Sequence, residues 1–159
     1  MLFTVEGFLG NDYASMLDEP EVGELPDLER IVLLRDTGTR PGGVLGWDEL
    51  LALGAGVDPQ LVEDRVAGLD TASVSDLIFT SGTTGRPKGV VQTHGQSLRA
   101  ASDWADIVGL RADDRYLCIN PFFHTFGYKA GILTSLMAGS TLVPMPTFDL
   151  DAVLAAITE

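Results

Sequence analysis

The sequence predicts an α/β fold with a mostly parallel sheet and crossover helices. Three observations carry that expectation. Short apolar runs alternate with segments of helical periodicity, a glycine- and hydroxyl-rich stretch falls where a strand should end, and 45% of the 159 residues are hydrophobic. That content is enough to bury a sheet beneath helices. Strand, helix, strand, helix in this order implies parallel crossovers. The length falls within the range of one domain, and no internal repeat or low-complexity tract interrupts it.

The elements follow from local chemistry. Leu2 to Val5 and Arg30 to Leu34 read as short strands, with Asp12 to Leu17 and Trp47 to Leu53 as helices. Asp18 to Asp27 and Thr37 to Gly43 are loops by composition. Asp76-Leu77-Ile78-Phe79 is an apolar run expected to be a buried strand. Thr93-His94-Gly95-Gln96 has capping-box spacing, with Thr93 at the N-cap and Gln96 at the third helical position. A helix should therefore run from about His94 to Val108 and stop near Gly109. Asp113-Asp114 turn into a strand over Tyr116 to Ile119. A second helix should follow Gly127, with Ile132, Leu133, Leu136 and Met137 on one face and Gly139 at its C-terminal cap. A strand over Thr141 to Met145 comes next. Leu150, Val153, Leu154 and Ile157 then recur at helical spacing, so Glu159 should end an amphipathic helix.

The most informative segment is Thr80 to Gly89, TSGTTGRPKG, which combines three glycines, four hydroxyls and one lysine. It begins where the Asp76 to Phe79 strand should end, which is where α/β sheets place ligands. Gly82, Gly85 and Gly89 lack a Cβ, so the backbone can take positive φ and bring N–H groups close to an oxyanion. Thr80, Ser81, Thr83 and Thr84 add hydroxyls that can hydrogen-bond phosphate or ligate magnesium. Pro87 fixes its own φ and restricts Arg86, which limits the entropy lost when the loop closes on a ligand. Lys88 supplies a mobile positive charge. The alternative, a flexible Gly/Ser/Thr surface linker, needs neither a proline-lysine pair nor a flanking apolar strand.

Familiar nucleotide-binding templates fail here. Walker A spacing counted from Gly82 requires glycine at position 87, which is Pro87, and no G-x-G-x-x-G follows a strand elsewhere. The segment instead resembles, over all ten positions, the phosphate-binding loop of the adenylate-forming superfamily, which includes acyl-CoA synthetases, luciferases and peptide-synthetase adenylation domains. Downstream, Gly89-Val90-Val91-Gln92-Thr93-His94 resembles the second strand of that family's loop hairpin and the start of its helix. Asn120-Pro121-Phe122-Phe123-His124-Thr125-Phe126-Gly127 resembles its next core motif, and the resemblance continues through Phe148-Asp149, so that Ser73 to Glu159 reads as continuous family sequence. Before Ser73 the resemblance rests on pattern. A peptide-synthetase domain would carry Phe-Asp-x-Ser where this chain has Phe122-Phe123-His124-Thr125, so the resemblance points to a carboxylic acid lacking an amine.

The resemblance implies that residues 1–159 are a single partial AMP-binding domain. They correspond to the middle of the large N-terminal domain of an acyl-CoA synthetase, with the C-terminal domain and its lysine absent. It implies ATP, magnesium and CoA as cofactors and an acid, fatty or steroid-derived, as substrate. A carboxylate attacks the α-phosphorus of ATP, and CoA then takes the acyl group. By the same analogy Lys88 neutralises the terminal phosphates, Ser81, Thr83 and Thr84 hydrogen-bond them with Gly82 and Gly85 shaping the cradle, and Thr80 touches magnesium. His124 lines the acyl and adenylate pocket, and Tyr128 and Lys129 border that pocket or the CoA channel. Two further readings stay open: a non-catalytic phosphate-binding or interaction module, and an aryl-acid or luciferase-like adenylating enzyme. As an isolated piece the chain is expected to turn over nothing.

Charge and composition agree with this reading. Residues 1 to 76 hold sixteen acids and four bases, whereas 77 to 159 hold seven acids and six bases, so the first part carries nearly all of the net charge of −13. From Leu77 to Ser102 there is no acid, only Arg86, Lys88 and Arg99. A polyphosphate site needs that, because a nearby carboxylate would repel its ligand. The acidic first part reads as a solvated face and argues against nucleic-acid binding. The first 29 residues lack Lys and Arg, and no apolar run approaches the ~20 residues of a membrane span, so a cytoplasmic protein is expected. The single cysteine, Cys118, lies in an apolar stretch and reads as a small buried hydrophobe in a reducing compartment. His94, in the first turn of the capped helix, suits packing better than ligation. His124, among Phe122, Phe123 and Phe126, suits either a satisfied aromatic cluster or one polar group in a substrate pocket. Oligomeric state is left open.

Overall fold

In the computed structural model of the chain the described residues are 1–35, 40, 42–82 and 85–158. They fall into two compact units, Met1–Ala67 and Gly68–Glu159.

The first unit is built on a three-stranded parallel sheet in the order β1 (Leu2–Thr4), β2 (Ile31–Leu33), β3 (Val44–Gly46), with Leu2 opposite Ile31 and Ile31 opposite Val44. Val32 and Leu33 of the central strand are its buried side chains, as expected for apolar residues between two paired neighbours. Helix α1 (Trp47–Gly54) starts directly from β3. The Glu49 carboxylate accepts the Gly46 N–H (2.9 Å) and pairs with Arg40, tying down the first turn.

Three local expectations change here. Asp12 to Leu17 does not form an α-helix but a single 3-10 turn, Ser15–Asp18. Asp12 Oδ1 accepts the N–H groups of Ala14 and Ser15 (3.2 Å each), and a side chain that binds the backbone this way favours a turn over a longer helix. Strand β3 and helix α2 (Pro59–Ala67) were not anticipated. The signal for α2 lay in Asp58-Pro59: Asp58 Oδ1 accepts the Gln60 N–H (3.0 Å), and proline occupies the first helical position, where its missing donor costs nothing.

The second unit opens with a hairpin. Strands β4 (Val74–Thr80) and β5 (Lys88–Thr93) pair antiparallel, with Thr80 opposite Lys88 and a register shift between Val74 and Asp76. β4 is not buried on both faces as its apolar run suggested, because Leu77 and Phe79 are exposed while Asp76 and Ile78 turn inward. Helix α3 (His94–Val108) matches its expected bounds because both ends are written in side chains. Thr93 Oγ1 accepts the Gln96 N–H (3.3 Å), Gln96 Oε1 accepts the Thr93 N–H (3.0 Å), and Gly109 closes the helix in the left-handed region at φ 68°. β6 (Arg115–Cys118) and β7 (Thr141–Pro144) then pair in parallel, joined by a helical crossover. Helix α5 (Leu150–Thr158) ends the described chain, and Glu159 lies outside the described residues. The α/β expectation therefore holds, with two parallel sheets and one antiparallel hairpin.

The crossover departs from expectation. Phe126–Leu133 is wound as a π-helix and passes into α4 (Thr134–Ala138), capped by Gly139 at φ 72°. Its inward residues are Gly127, Lys129, Ala130, Gly131, Thr134 and Ser135, whereas of the four apolar residues expected on one face Ile132 and Leu133 are half-buried and Leu136 and Met137 are exposed. The reason is close backbone approach. A Cβ at Gly127 would lie 2.2 Å from the Pro121 carbonyl oxygen, and one at Gly131 would lie 2.6 Å from Cys118 Sγ. At these two positions only glycine fits, which brings the backbone of the crossover close to the end of β6 and leaves Leu136 and Met137 on the outer side. Cys118 is buried and free, and burial raises the pKa of its thiol.

One polar cluster is packed between these elements. Lys129 is 7% exposed; its ammonium pairs with Asp76 of β4 and donates to Ser97 Oγ of α3 (2.7 Å). Ser75 Oγ lies 2.5 Å from Asp76 Oδ2 and 3.2 Å from Ser97 Oγ, which closes the ring. Burial raises the Asp76 pKa, but the hydrogen bonds from Lys129 and Ser75 and the charges of Lys129 and His94 outweigh it and hold the carboxyl below its ordinary value of 3.8. A carboxyl lowered in the folded state adds stability above its unfolded pKa and loses it as pH falls through the folded one. Denaturant titrations should therefore show the chain losing stability below about pH 4, with Asp76→Asn shallower over that window. Gly127→Ala should destabilise the chain by about 1–3 kcal/mol, the cost of overpacking a core. Gly54→Ala, where an added Cβ meets nothing within 4 Å, should not.

Candidate functional site

The hairpin β4–β5 presents the glycine-hydroxyl-lysine segment as its turn, with Thr80 and Lys88 as the last paired residues. Two strands pin the ends of the turn, and Thr80 Oγ1 donates to the Lys88 carbonyl (3.5 Å) across the base. Gly82 and Gly85 adopt positive φ, 64° and 80°. At Gly82 the requirement is double, since a Cβ there would also lie 2.2 Å from the Arg86 carbonyl oxygen. Gly89 differs from expectation. It sits in β5 without positive φ, and what it provides is room beneath Leu77 and Phe79, whose side-chain carbons would come within 3.1 and 3.4 Å of a Cβ. Thr83 and Thr84 lie outside the described residues.

The rest of the turn is open to solvent. Thr80, Ser81, Gly85, Arg86, Pro87 and Lys88 are exposed and Gly82 is half-buried. Among the described residues Lys88 forms no ion pair, and the acid bordering the acid-free stretch, Asp76, is neutralised by Lys129. Asp76 also lies four residues before Thr80, about 13 Å along an extended strand. The turn therefore combines glycine-enforced shape, hydroxyl donors and an exposed cation that forms no ion pair among the described residues, which is chemistry suited to an oxyanion. Among the described residues no three His, Cys, Asp or Glu side chains group as metal ligands.

His124 lies in the segment between β6 and the π-helix. Its backbone N–H donates to the Pro121 carbonyl (3.0 Å), its carbonyl accepts the Tyr128 N–H (3.0 Å), and its Nδ1 accepts the Phe126 N–H (3.1 Å). An imidazole whose Nδ1 accepts carries its proton on Nε2 and can offer that proton outward. The ring is exposed at the rim of an apolar concavity of about 350 Å³, walled by Trp104 and Phe126. These two rings meet edge to face with centroids 5.2 Å apart, and Trp104 Nε1 donates to the Tyr116 hydroxyl (3.2 Å), which fixes the wall. A second concavity of about 380 Å³ reaches from Val90, Val91 and Gln92 of β5 to the same Ala100, Thr125 and Lys129 that line the first. The hollow thus continues from the second strand of the hairpin to His124. No hydrogen bond or ion pair joins Lys88 to His124 among the described residues.

Sequence reasoning missed Trp104, Ser97 and the pairing of Lys129 with Asp76. A lysine in the small, apolar stretch Gly127 to Leu133 signalled a buried charge, and an aspartate opening an apolar strand signalled its partner. His94 opens α3, its backbone N–H donating to the Ser73 carbonyl (3.0 Å).

Comparisons with known proteins show the family. Residues 14–159 match the AMP-binding enzyme family. The chain is 49% identical over 149 residues to the 3-((3aS,4S,7aS)-7a-methyl-1,5-dioxo-octahydro-1H-inden-4-yl)propanoyl:CoA ligase of Mycobacterium tuberculosis, covering 94% of this chain and 28% of that protein. It is 45% identical over 160 residues to the ligase of the same name from Rhodococcus jostii, covering 99% of this chain and 31% of that one. Among solved structures it is similar to the inhibitor-bound N-terminal domain of FACL13 from Mycobacterium tuberculosis, with a TM-score of 0.59, 31% identity, and 81% and 35% of the two chains covered. It shares its fold with the anthranilate CoA ligase AuaEII, with a TM-score of 0.74, 24% identity, and 98% and 28% covered. The chain therefore spans about 30% of the length of the curated relatives it matches. On the family match and these identities, the chain belongs to the AMP-binding enzymes.

Proposed function

We propose that the chain is a partial AMP-binding domain of an ATP-dependent acid–CoA ligase, in which the turn Thr80 to Gly89 holds the triphosphate. The observation that carries this reading is the solvent-open turn itself, shaped by Gly82 and Gly85 and set in a stretch of sequence without acids, whose bordering acid Asp76 is paired with Lys129. A Cβ at Gly82 would collide with the Arg86 carbonyl oxygen, so glycine there keeps the turn tightly closed in the shape that the proposed phosphate contacts require.

The reaction has two displacements. An oxygen of the acid carboxylate attacks the α-phosphorus of ATP, and the bond to the β-phosphate oxygen breaks, releasing pyrophosphate. The CoA thiolate sulfur then attacks the acyl carbon, and AMP leaves with the electron pair of the acyl–oxygen bond. Negative charge accumulates on the departing pyrophosphate in the first step. Groups fixed around it lower the barrier chiefly by position and charge. Lys88 would neutralise the β- and γ-phosphates, and Ser81, Thr83 and Thr84 would hydrogen-bond them. Thr80 would offer its hydroxyl to magnesium, an ion that keeps several waters and takes few protein ligands beside phosphate oxygens. When bound, the ion would supply charge neutralisation and orientation of those phosphates. His124 would present Nε2–H at the acyl and adenylate pocket beside Trp104 and Phe126.

The acid is proposed to lack an amine and to be fatty or steroid-derived. The names of the two ligases with 49% and 45% identity favour a bulky fused-ring propanoate. The aqueous compartment is proposed to be the reducing cytoplasm, where Cys118 would stay a thiol.

Exchange of labelled pyrophosphate into ATP, run on the full-length protein with fatty, steroid-derived and aryl acids, tests this reading. Exchange should depend on the acid and be strongest with a steroid-derived one. Preference for an aryl acid would move the assignment to the aryl-acid or luciferase-like class, and no exchange with any acid would favour a non-catalytic phosphate-binding module. The 159-residue chain alone should give none. Gly82→Ala in the full-length protein should lower exchange on the order of 100-fold, the scale of losing a preorganised oxyanion contact, and should also lower its melting temperature, because the added Cβ meets the Arg86 carbonyl oxygen at 2.2 Å.

A further inference from the structure

Lys129 is one of two lysines in the chain and lines both concavities, yet its ammonium is not available to a substrate. A lysine has three N–H donors. One goes to Asp76, one to Ser97 Oγ (2.7 Å), and the third faces the ring of Tyr128, whose centroid lies 4.4 Å from Nζ. With its donors spent, Lys129 acts on the site only through what it holds.

What it holds are the two halves of the proposed centre. Asp76 belongs to β4, which runs into the phosphate turn four residues later. Lys129 belongs to the π-helix, anchored to His124 by the hydrogen bond between the Tyr128 N–H and the His124 carbonyl. Ser97 adds α3, whose Trp104 walls the concavity at His124. The π-winding faces Lys129 inward together with Gly127, Ala130 and Gly131. Local π-winding inside helices recurs where a side chain must be re-aimed for function. Stability is a weak explanation for the pair, because a buried ion pair adds little over an apolar pair of the same volume.

We propose that Lys129 and Asp76 are positioning residues that set the distance between the triphosphate turn and the His124 end of the hollow, and so align the acid carboxylate with the α-phosphorus. This rests on the ligase reading above. Misalignment of that kind lowers the rate with saturated substrates while leaving ATP affinity in place, since Lys88 and the turn hydroxyls stay on their hairpin.

The test is pyrophosphate exchange in the full-length protein, with melting temperature and ATP affinity measured on each variant. Lys129→Met alone leaves Asp76 charged and buried, its Oδ1 having no hydrogen-bond partner among the described residues, so it is paired with Asp76→Leu to keep the interior neutral. The double variant should keep its melting temperature within a few degrees and its ATP affinity within about threefold, and lose on the order of 10- to 100-fold in the saturated exchange rate. Lys129→Arg should recover part of that loss. Ser97→Ala removes one brace without stranding a charge; it should lower the saturated rate by a smaller factor, and it keeps the proposal testable if the double variant does not fold. A folded double variant at the unaltered rate overturns the proposal. So does a loss confined to ATP affinity, and so does a Ser97→Ala protein of unchanged rate when the double variant is unfolded. Absence of exchange in the unaltered protein would instead overturn the ligase reading, and this inference with it.

Discussion

A charge taken out of water has to be compensated where it lies, and the ammonium of Lys129 imposes that condition on the unit around it. Its carboxylate partner is 53 residues away in sequence, so the pairing fixes β4 against the π-helix, and Ser97 draws α3 into the same cluster. The helix can carry the lysine inward only because Gly127 and Gly131 let its backbone lie against the end of β6. Close packing, helical winding and charge compensation are thus one arrangement. Relaxing any of them would loosen the hold on the hairpin that carries the turn Thr80 to Gly89.

The same pair shapes the field at the turn. Asp76 is the acid nearest in sequence to the loop, and bound to Lys129 it adds little negative potential there. Lys88 remains exposed and without an ion-pair partner among the described residues. One lysine is spent on holding the frame and the other stays exposed, where the proposed reading has it meet phosphate. That division of labour follows from burial alone, since exposed charges interact weakly with their surroundings until a charged ligand arrives.

Much of this was legible in the sequence wherever structure is set by local chemistry. The bounds of α3 follow from Thr93, Gln96 and Gly109, which satisfy or terminate the helix through their own atoms. The turn was legible because glycine, hydroxyl, proline and lysine each have a separate physical use there. Asp12 was misread because a carboxylate that binds the following N–H groups can begin a helix or end as a single turn, and the composition is the same. The crossover was misread for a different reason. Leu133, Leu136 and Met137 have helical spacing, but which face is buried was decided by how closely Gly127 and Gly131 approach β6, a long-range fact that periodicity does not contain. Trp104 and the Lys129–Asp76 pair were hidden for the same reason, being contacts between distant segments.

The central claim is that Lys88 and its turn grip the terminal phosphates of ATP rather than the nucleoside. Calorimetric titration of the full-length protein and its Lys88→Ala variant with magnesium-ATP and, separately, with AMP tests it most directly. Loss of a charge-assisted contact worth about 1.5–3 kcal/mol should weaken ATP roughly 10- to 100-fold and leave AMP unchanged. Equal weakening of both nucleotides, or of neither, would contradict the account.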